Sequence, residues 1–145
     1  MAASSQRRRF QTSDGVFLSV IECGVSGTRA APLTFALIPG WCMPAWLWQP
    51  QLDALSAHHP VVALDPRGQG ESDVPEGGYH YERRSTDIHE FLRPYQNVVL
   101  VGWSLAVLEA LNYVHEQGDS KVAGLVLVDN SVGEDPAPQI GRAHV

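Results

Sequence analysis

The chain has 145 residues, of which 44% are hydrophobic and 18% are charged. This composition excludes an intrinsically disordered chain and a collagen-like or coiled-coil fibre, and the length fits one domain. The formal net charge of −6 provides no basic field for a phosphate backbone, so nucleic acid is not an expected partner.

No segment of the sequence predicts export, membrane insertion or metal binding. The arginines at 7–9 are not followed by the apolar run of a secretory signal, and no window reaches about 18 apolar residues. The two cysteines, Cys23 and Cys42, lack the spacing of a zinc site or a CxxC motif. We therefore expect a cytoplasmic protein with ordinary thiols and no membrane contact, and the oligomeric state stays open.

Apolar segments with strand-like and helix-like patterns alternate along the chain. Asp14-Gly15 lies between two β-favouring runs, which is the strongest short signal for a β-hairpin. Continuous apolar runs of four to seven residues predict strands that are buried on both faces. The predicted elements in chain order are a hairpin over 9–22, a strand over 33–38, a weak helix over 46–57, a strand over 61–64, a helix over 81–92, a strand over 97–101, a helix over 104–116 and a strand over 122–128.

This alternation predicts the fold class. Short apolar strands separated by helices indicate a mostly parallel sheet that is covered by helices on both faces and preceded by a β-hairpin. In such α/β folds the functional residues follow the carboxyl ends of the strands. We therefore expect residues that carry chemistry at the ends of the predicted strands.

Ser104 lies where a buried strand turns sharply into a helix. A serine at such an elbow has an exposed hydroxyl, and the positions two before and two after it must be small. Gly102 and Ala106 meet that requirement, and the positive end of the helix faces any oxyanion formed at Ser104. The alternative is that Ser104 only caps the helix. The strand–turn–helix context favours a nucleophile.

The earlier strand over 33–38 ends in Pro39-Gly40-Trp41. An acyl-transfer site needs two backbone N–H donors for the developing oxyanion. The residue after the nucleophile, Leu105, can provide one donor, and Trp41 is the natural second. The alternative is an ordinary Pro-Gly turn. Trp41, Trp46 and Trp48 could line an apolar substrate pocket, but we expect a tryptophan cluster more often to lie in the core.

Residues 64–72 read Leu-Asp-Pro-Arg-Gly-Gln-Gly-Glu-Ser and form a polar, glycine-rich loop after a strand. A phosphate-binding loop is one interpretation, but no GxxxxGK[ST] motif follows. The better interpretation is a structural turn that is braced by Asp65 and Arg67.

These three strand-end segments, together with the end of the last predicted strand, resemble the α/β-hydrolase superfamily, and in particular its serine esterase, haloperoxidase and C–C hydrolase branch. They follow the family's order along the chain. The segments are PGW at 39–41, LDPRGQGES at 64–72, VGWSLA at 101–106 and GLVLVDNS at 124–131.

The resemblance implies a fold, a reaction and a set of site residues. The expected fold is the N-terminal part of an α/β-hydrolase domain. The expected reaction is hydrolysis of a small ester or related acyl compound, without a cofactor, through an acyl-enzyme on Ser104. Trp41 and Leu105 are then the oxyanion-hole donors, and the glycine-rich loop is structural.

Two residues depart from the family's usual pattern. Pro39 stands where the family commonly has His before the oxyanion glycine, and Ala106 stands where the elbow commonly ends in Gly. These departures keep open a non-catalytic α/β-hydrolase-like binding protein. A cofactor-free C–C hydrolase, perhydrolase or lyase of the same fold is a further alternative.

The sequence after Ser104 contains no histidine that is expected to act as its general base. The family order is Ser, then Asp or Glu, then His, and after Ser104 only His115 and His144 remain. We expect His115 at the solvent-facing end of its helix, and we take Asp129 as a candidate acid. Residues 140–145 match the translation of a common sequencing adapter. We therefore expect a single domain over 1–145 that is truncated at its C-terminus, ends in a non-native tail and is itself inactive.

Overall fold

The computed structural model describes residues 5–24 and 33–130, so residues 140–145 and His144 lie outside the described part. The described elements alternate between strands and helices as the sequence predicts. They are β1 Ser5–Gln11, β2 Phe17–Cys23, β3 Thr34–Ile38, a 3₁₀ turn Ala45–Trp48, α1 Gln49–Leu55, β4 Val61–Asp65, α2 Tyr81–Leu92, β5 Val98–Trp103, α3 Leu105–Gln117 and β6 Val122–Val128.

The described strands form one sheet in the order β1-β2-β4-β3-β5-β6. The hairpin β1–β2 is antiparallel and joins the sheet through an antiparallel pairing of β2 with β4. The pairings β4–β3, β3–β5 and β5–β6 are all parallel. Both expectations, a mostly parallel sheet and an N-terminal hairpin, are confirmed. β3 and β5 are neighbours in the centre, so their carboxyl ends lie side by side.

Helices cover both faces of the sheet, as predicted. Successive residues of a strand point to opposite faces, so Ala36 and Ile38 belong to one core and Leu37 to the other. The first core includes Ile88 and Phe91 of α2 and also residues of α3. The second core includes Leu52 of α1 and Ala45 of the preceding turn. This two-sided burial explains the continuous apolar runs of the central strands.

The glycine-rich loop after β4 is braced as the sequence predicts. Arg67 is 1% exposed, and its guanidinium donates to both carboxylate oxygens of Asp87 on α2, at 2.6 and 2.8 Å. It also donates to Asp14 in the hairpin turn at 3.0 Å. The buried Asp65 carboxylate accepts from Arg7 of β1 at 2.7 Å. The loop therefore ties the hairpin and α2 to the sheet.

β6 is the outermost strand of the described sheet beside β5. Val126, Leu127 and Val128 near its end are between 37% and 43% exposed. None of the helices in the two described ranges has the length and apolar character needed to cross a membrane.

Candidate active site

The backbone at Ser104 makes a sharp turn between β5 and α3. Its dihedral angles are φ 54° and ψ −119°, and a positive φ is rare for a residue with a side chain. Such strain costs of order 1–3 kcal/mol and is concentrated at functional sites. The strand–turn–helix elbow predicted from the sequence is confirmed in its geometry.

The elbow needs the small residues that the sequence provides. A Cβ atom at Gly102 would lie 2.6 Å from the carbonyl oxygen of Ala106, which is closer than real side chains approach. Ala106 itself is fully buried in the core formed with α2 and α3. The methyl group that replaces the family's usual glycine is thus accommodated at this position.

The capping interpretation of Ser104 is wrong. Ser104 occupies the N-cap position of α3, but its side chain makes no capping hydrogen bond. Its backbone makes the local contacts instead. The N–H donates to the carbonyl of Val128 at 2.8 Å, and the carbonyl accepts from the N–H of Val107 at 3.0 Å. The half-buried hydroxyl is therefore not used by the helix.

The turn after β3 closely approaches the elbow. A Cβ atom at Gly40 would lie 3.1 Å from the Cβ of Ser104 and 3.3 Å from the carbonyl oxygen of Trp103. The peptide that carries the N–H of Trp41 follows directly. Leu105 is the first residue of α3, where backbone N–H groups have no partner within the helix. Both expected donors therefore belong to segments that meet at Ser104.

The tryptophans near this turn differ from the expectation. Trp41 and Trp46 are 56% and 57% exposed, so the interpretation of these two as core residues is wrong. Trp48 is half-buried and packs edge-to-face on Trp103, with 6.4 Å between the ring centroids. The segment after β3 therefore exposes aromatic side chains to solvent at the carboxyl ends of the strands, where Ser104 also lies.

Two residues beside the site were missed at the level of sequence. The Nδ2 of Asn130 donates to the carbonyl of Ser104 at 2.9 Å. The Nε2 of Gln69 donates to the carbonyl of Gly40 at 3.1 Å and to that of Met43 at 2.7 Å. Both follow the ends of strands, so the strand-end rule could have found them. Asparagine and glutamine do not ionise and belong to no catalytic motif in this sequence, so nothing in the sequence marks these two residues as part of the site.

Comparison with known proteins identifies the family. The family described as alpha/beta hydrolase fold matches residues 34–143 of the chain. The chain belongs to this family. The predicted resemblance is confirmed, and so is the expected fold.

The related proteins are longer than this α/β-hydrolase chain, so each alignment includes a larger share of this chain than of the relative. It is 35% identical over 95 residues to "Putative non-heme chloroperoxidase" of Synechocystis sp., which covers 63% of this chain and 34% of that protein. An esterase from Exiguobacterium antarcticum has a TM-score of 0.75 at 30% identity, over 82% of this chain and 43% of the esterase. The esterase RhEst1 from Rhodococcus sp. has a TM-score of 0.72 at 33% identity, over 84% and 45%. The chain thus spans less than half the length of these relatives.

The candidate acid of this α/β-hydrolase chain lies directly after β6. Asp129 is exposed and has a positive φ of 59°. It follows Val128, whose carbonyl accepts the N–H of Ser104. The backbone of Asp129 is therefore adjacent to the elbow.

Three of the described histidines lie away from Ser104. His115 lies eleven residues along the chain, about 16 Å along α3 at 1.5 Å per residue, and its side chain is 82% exposed. The expectation of a solvent-facing histidine at the helix end is confirmed. His58 and His59 precede β4, at the opposite edge of the sheet from Ser104. In the described ranges, no cluster of three His, Cys, Asp or Glu residues could hold a metal.

A cavity of about 440 Å³ lies beside Leu105, between α2 and α3. Its polar lining includes Arg84 and Glu109, which form a buried ion pair between the two helices. Burial raises the pKa of the Glu109 carboxyl, although the neighbouring Arg84 acts in the opposite direction. The remaining lining is mostly aromatic or apolar, with Tyr79, Tyr81 and Leu108.

Proposed function

We propose that this chain carries the nucleophile of a hydrolase that cleaves small esters through an acyl-enzyme on Ser104. The observation that carries the proposal is the strained backbone of Ser104, together with a hydroxyl that the helix does not use for capping. Esterases among the structural relatives also support it.

In the proposed reaction, the Oγ of Ser104 attacks the ester carbonyl carbon while its proton passes to a general base. The N–H groups of Leu105 and Trp41 donate to the oxyanion of the tetrahedral intermediate. The intermediate collapses and the alcohol leaves with the proton from the protonated base. Water then cleaves the acyl-enzyme by the same steps and restores the serine hydroxyl.

The exposed apolar side chains on the turn after β3 support an apolar acyl or alcohol group in the substrate. Trp41, Met43 and Trp46 are each at least 37% exposed. Large apolar side chains clustered at a surface commonly mark a binding site. An uncharged small ester fits such a surface better than a charged metabolite does.

We also propose that the chain is the N-terminal part of a longer catalytic domain. The chain spans 34% of one curated relative and 43–45% of two solved esterases. The missing part would provide the histidine base, with Asp129 or a later carboxylate as the acid. Loss of a triad base typically lowers the rate by about 10⁴–10⁶-fold, so the 145-residue chain alone is expected to lack measurable turnover.

A second candidate function is perhydrolysis on the same serine. The similarity to a protein named as a chloroperoxidase favours it. Hydrogen peroxide would then replace water as the acceptor of the acyl group from Ser104, and the product would be a peracid. Peracid formation from an ester and hydrogen peroxide, compared with acid release in water, distinguishes the two reactions.

Fluorophosphonate labelling tests the proposal. The protein expressed from the complete reading frame should be labelled, and Ser104→Ala should abolish the label. Ser56, which is half-buried at the end of α1, provides the matched control, and Ser56→Ala should label like the wild type. A correctly folded full-length protein that takes up no label would support a non-catalytic binding protein instead.

A further inference from the structure

Gln69 spans the turn that carries one of the proposed oxyanion donors. Its side-chain amide donates to the carbonyl of Gly40 at 3.1 Å and to the carbonyl of Met43 at 2.7 Å. These two carbonyls lie on either side of Trp41 and Cys42. Gln69 is 8% exposed, its hydrogen bond to Gly40 is buried, and its hydrogen bond to Met43 is partly buried. One buried amide therefore fixes both ends of the turn.

The turn needs such support because its backbone is strained and its side chains do not pack. Cys42 has a φ of 60°, which costs free energy in a residue with a side chain. Trp41 is 56% exposed and Met43 is 37% exposed, so core packing does not hold the turn. A single backbone hydrogen bond closes it, from the N–H of Met43 to the carbonyl of Gly40 at 3.1 Å.

The same loop also holds the segment that follows the turn. The Oδ1 of Asp65 accepts from the N–H of Ala45 at 2.6 Å, and Asp65 is fully buried. A Cβ atom at Gly70 would overlap this carboxylate, so the second glycine of the loop makes room for it. Asp65 and Gln69 thus bind consecutive parts of the segment that faces the elbow.

We propose that Gln69 is a positioning residue of the oxyanion hole: its amide fixes the direction of the Trp41 N–H towards the oxyanion on Ser104. This inference rests on the proposed function. In this role Gln69 acts through the backbone of the turn, by its hydrogen bonds to the carbonyls of Gly40 and Met43. Glutamine suits this role because one NH₂ group offers two donors to two carbonyls.

We expect substitution of Gln69 to slow the chemical step, which is measured as a lower kcat. A misplacement of about 1 Å in a catalytic group costs about 10²-fold, and loss of one oxyanion donor costs about 10²–10³-fold in kcat. Gln69→Met keeps the length of the side chain and removes both donors. We expect kcat for p-nitrophenyl acetate to fall about 30- to 100-fold in the full-length protein, with KM changed less than about threefold, because the oxyanion forms only in the transition state.

Two comparison variants separate positioning from general stability. Gln49 is exposed on α1 and donates to Asp53 at 2.8 Å, so Gln49→Met should retain wild-type kcat. Gln69→Asn keeps the amide but shortens its reach by one methylene group. If Gln69→Met does not fold, Gln69→Asn should still show a lower kcat at unchanged KM.

A boronic acid that forms a tetrahedral adduct with serine provides the second readout. Its inhibition constant should rise by the same factor by which kcat/KM falls in the Gln69 variant. Wild-type kcat and wild-type boronate affinity in a folded Gln69→Met protein would overturn the inference. Ser104→Ala distinguishes the two claims: if it retains turnover, the proposed function fails, and Gln69 then has no oxyanion hole to position.

Discussion

Gly40 and Ser104 approach each other so closely that a side chain on Gly40 would press against the serine. A Cβ atom at Gly40 would lie 3.1 Å from the Cβ of Ser104. β3 and β5 are adjacent parallel strands, with Ile38 opposite Gly102, so their carboxyl ends bring these residues together. In the proposed site this contact holds the Trp41 N–H beside the nucleophile.

Gly40→Ala should therefore impair both turnover and stability. The added methyl group forces the turn away from the elbow by a few tenths of an ångström, and such overpacking costs about 1–3 kcal/mol. We expect kcat/KM of the full-length protein to fall about 100-fold because the proposed oxyanion donor moves. Gly77→Ala is the matched control, since a Cβ there meets nothing within 4 Å. Equal activities of the two variants would contradict this relationship.

Gly102→Ala should be severely destabilising. Its Cβ would lie 2.6 Å from the carbonyl oxygen of Ala106 and 3.0 Å from the N–H nitrogen of Val107, and backbone atoms of a helix cannot easily move away. We expect the free energy of unfolding in urea to fall by about 3 kcal/mol or more.

The matched control for that substitution is Gly124→Ala on β6, where a Cβ meets nothing within 4 Å. Alanine is preferred over glycine in a strand, so this variant should be neutral or more stable by up to about 1 kcal/mol. If the two alanine variants unfold at the same urea concentration, the elbow does not require a small residue at 102.

Relief of strain at Ser104 should stabilise the fold while abolishing the reaction. Glycine tolerates a φ of 54°, whereas alanine retains the clash of the Cβ atom. We expect Ser104→Gly to be more stable than Ser104→Ala by about 1–2 kcal/mol, with both variants inactive. Thermal or urea unfolding of the two variants measures this difference. A glycine variant no more stable than the alanine variant would remove the evidence for strain.

The ion pair between Asp14 and Arg67 should make the hairpin acid-sensitive. The hydrogen bond from Arg67 lowers the pKa of the Asp14 carboxyl from 3.8 to about 2. Because the folded state holds the carboxylate ionised, this stability is present above about pH 4 and is lost as the pH falls towards about 2. The side chain is 36% exposed, so solvent screening limits the contribution to about 1 kcal/mol.

Urea unfolding of the wild type and of Asp14→Asn checks this effect. The wild type should be more stable at neutral pH, and the difference should shrink as the pH falls below about 4. A difference that stays constant across this range would show that the pair does not contribute through ionisation.

The sequence predicts the elements well where the apolar pattern and the turn residues agree. Tyr81–Leu92 and Val122–Val128 have the predicted boundaries. β1 instead begins at Ser5, four residues before the predicted start, although its first half is polar. Arg8 of this strand pairs with Glu22 at 2.7 Å, a long-range partner that the local pattern does not reveal.

In the site, as in the fold, features that depend on neighbouring residues could be predicted, and features that depend on distant residues could not. The elbow at Ser104 follows from a local strand–turn–helix pattern, which is why its position could be predicted. The exposure of Trp41 and the hydrogen bonds of Gln69 to the turn after β3 depend on how separate loops meet at the carboxyl ends of the strands. Tryptophan is a large apolar residue, so the sequence alone predicts that it is buried. The sequence around a glutamine in a glycine-rich loop does not indicate which backbone groups its side chain binds.

The most direct test of the central claim is to trap the acyl-enzyme. The full-length protein is mixed with p-nitrophenyl acetate, quenched in acid during turnover and digested for peptide mass spectrometry. We predict an acetyl group on the peptide that contains Ser104, and no adduct in Ser104→Ala. Turnover with no acetylated peptide, or with the acetyl group on another residue, would contradict a Ser104 acyl-enzyme.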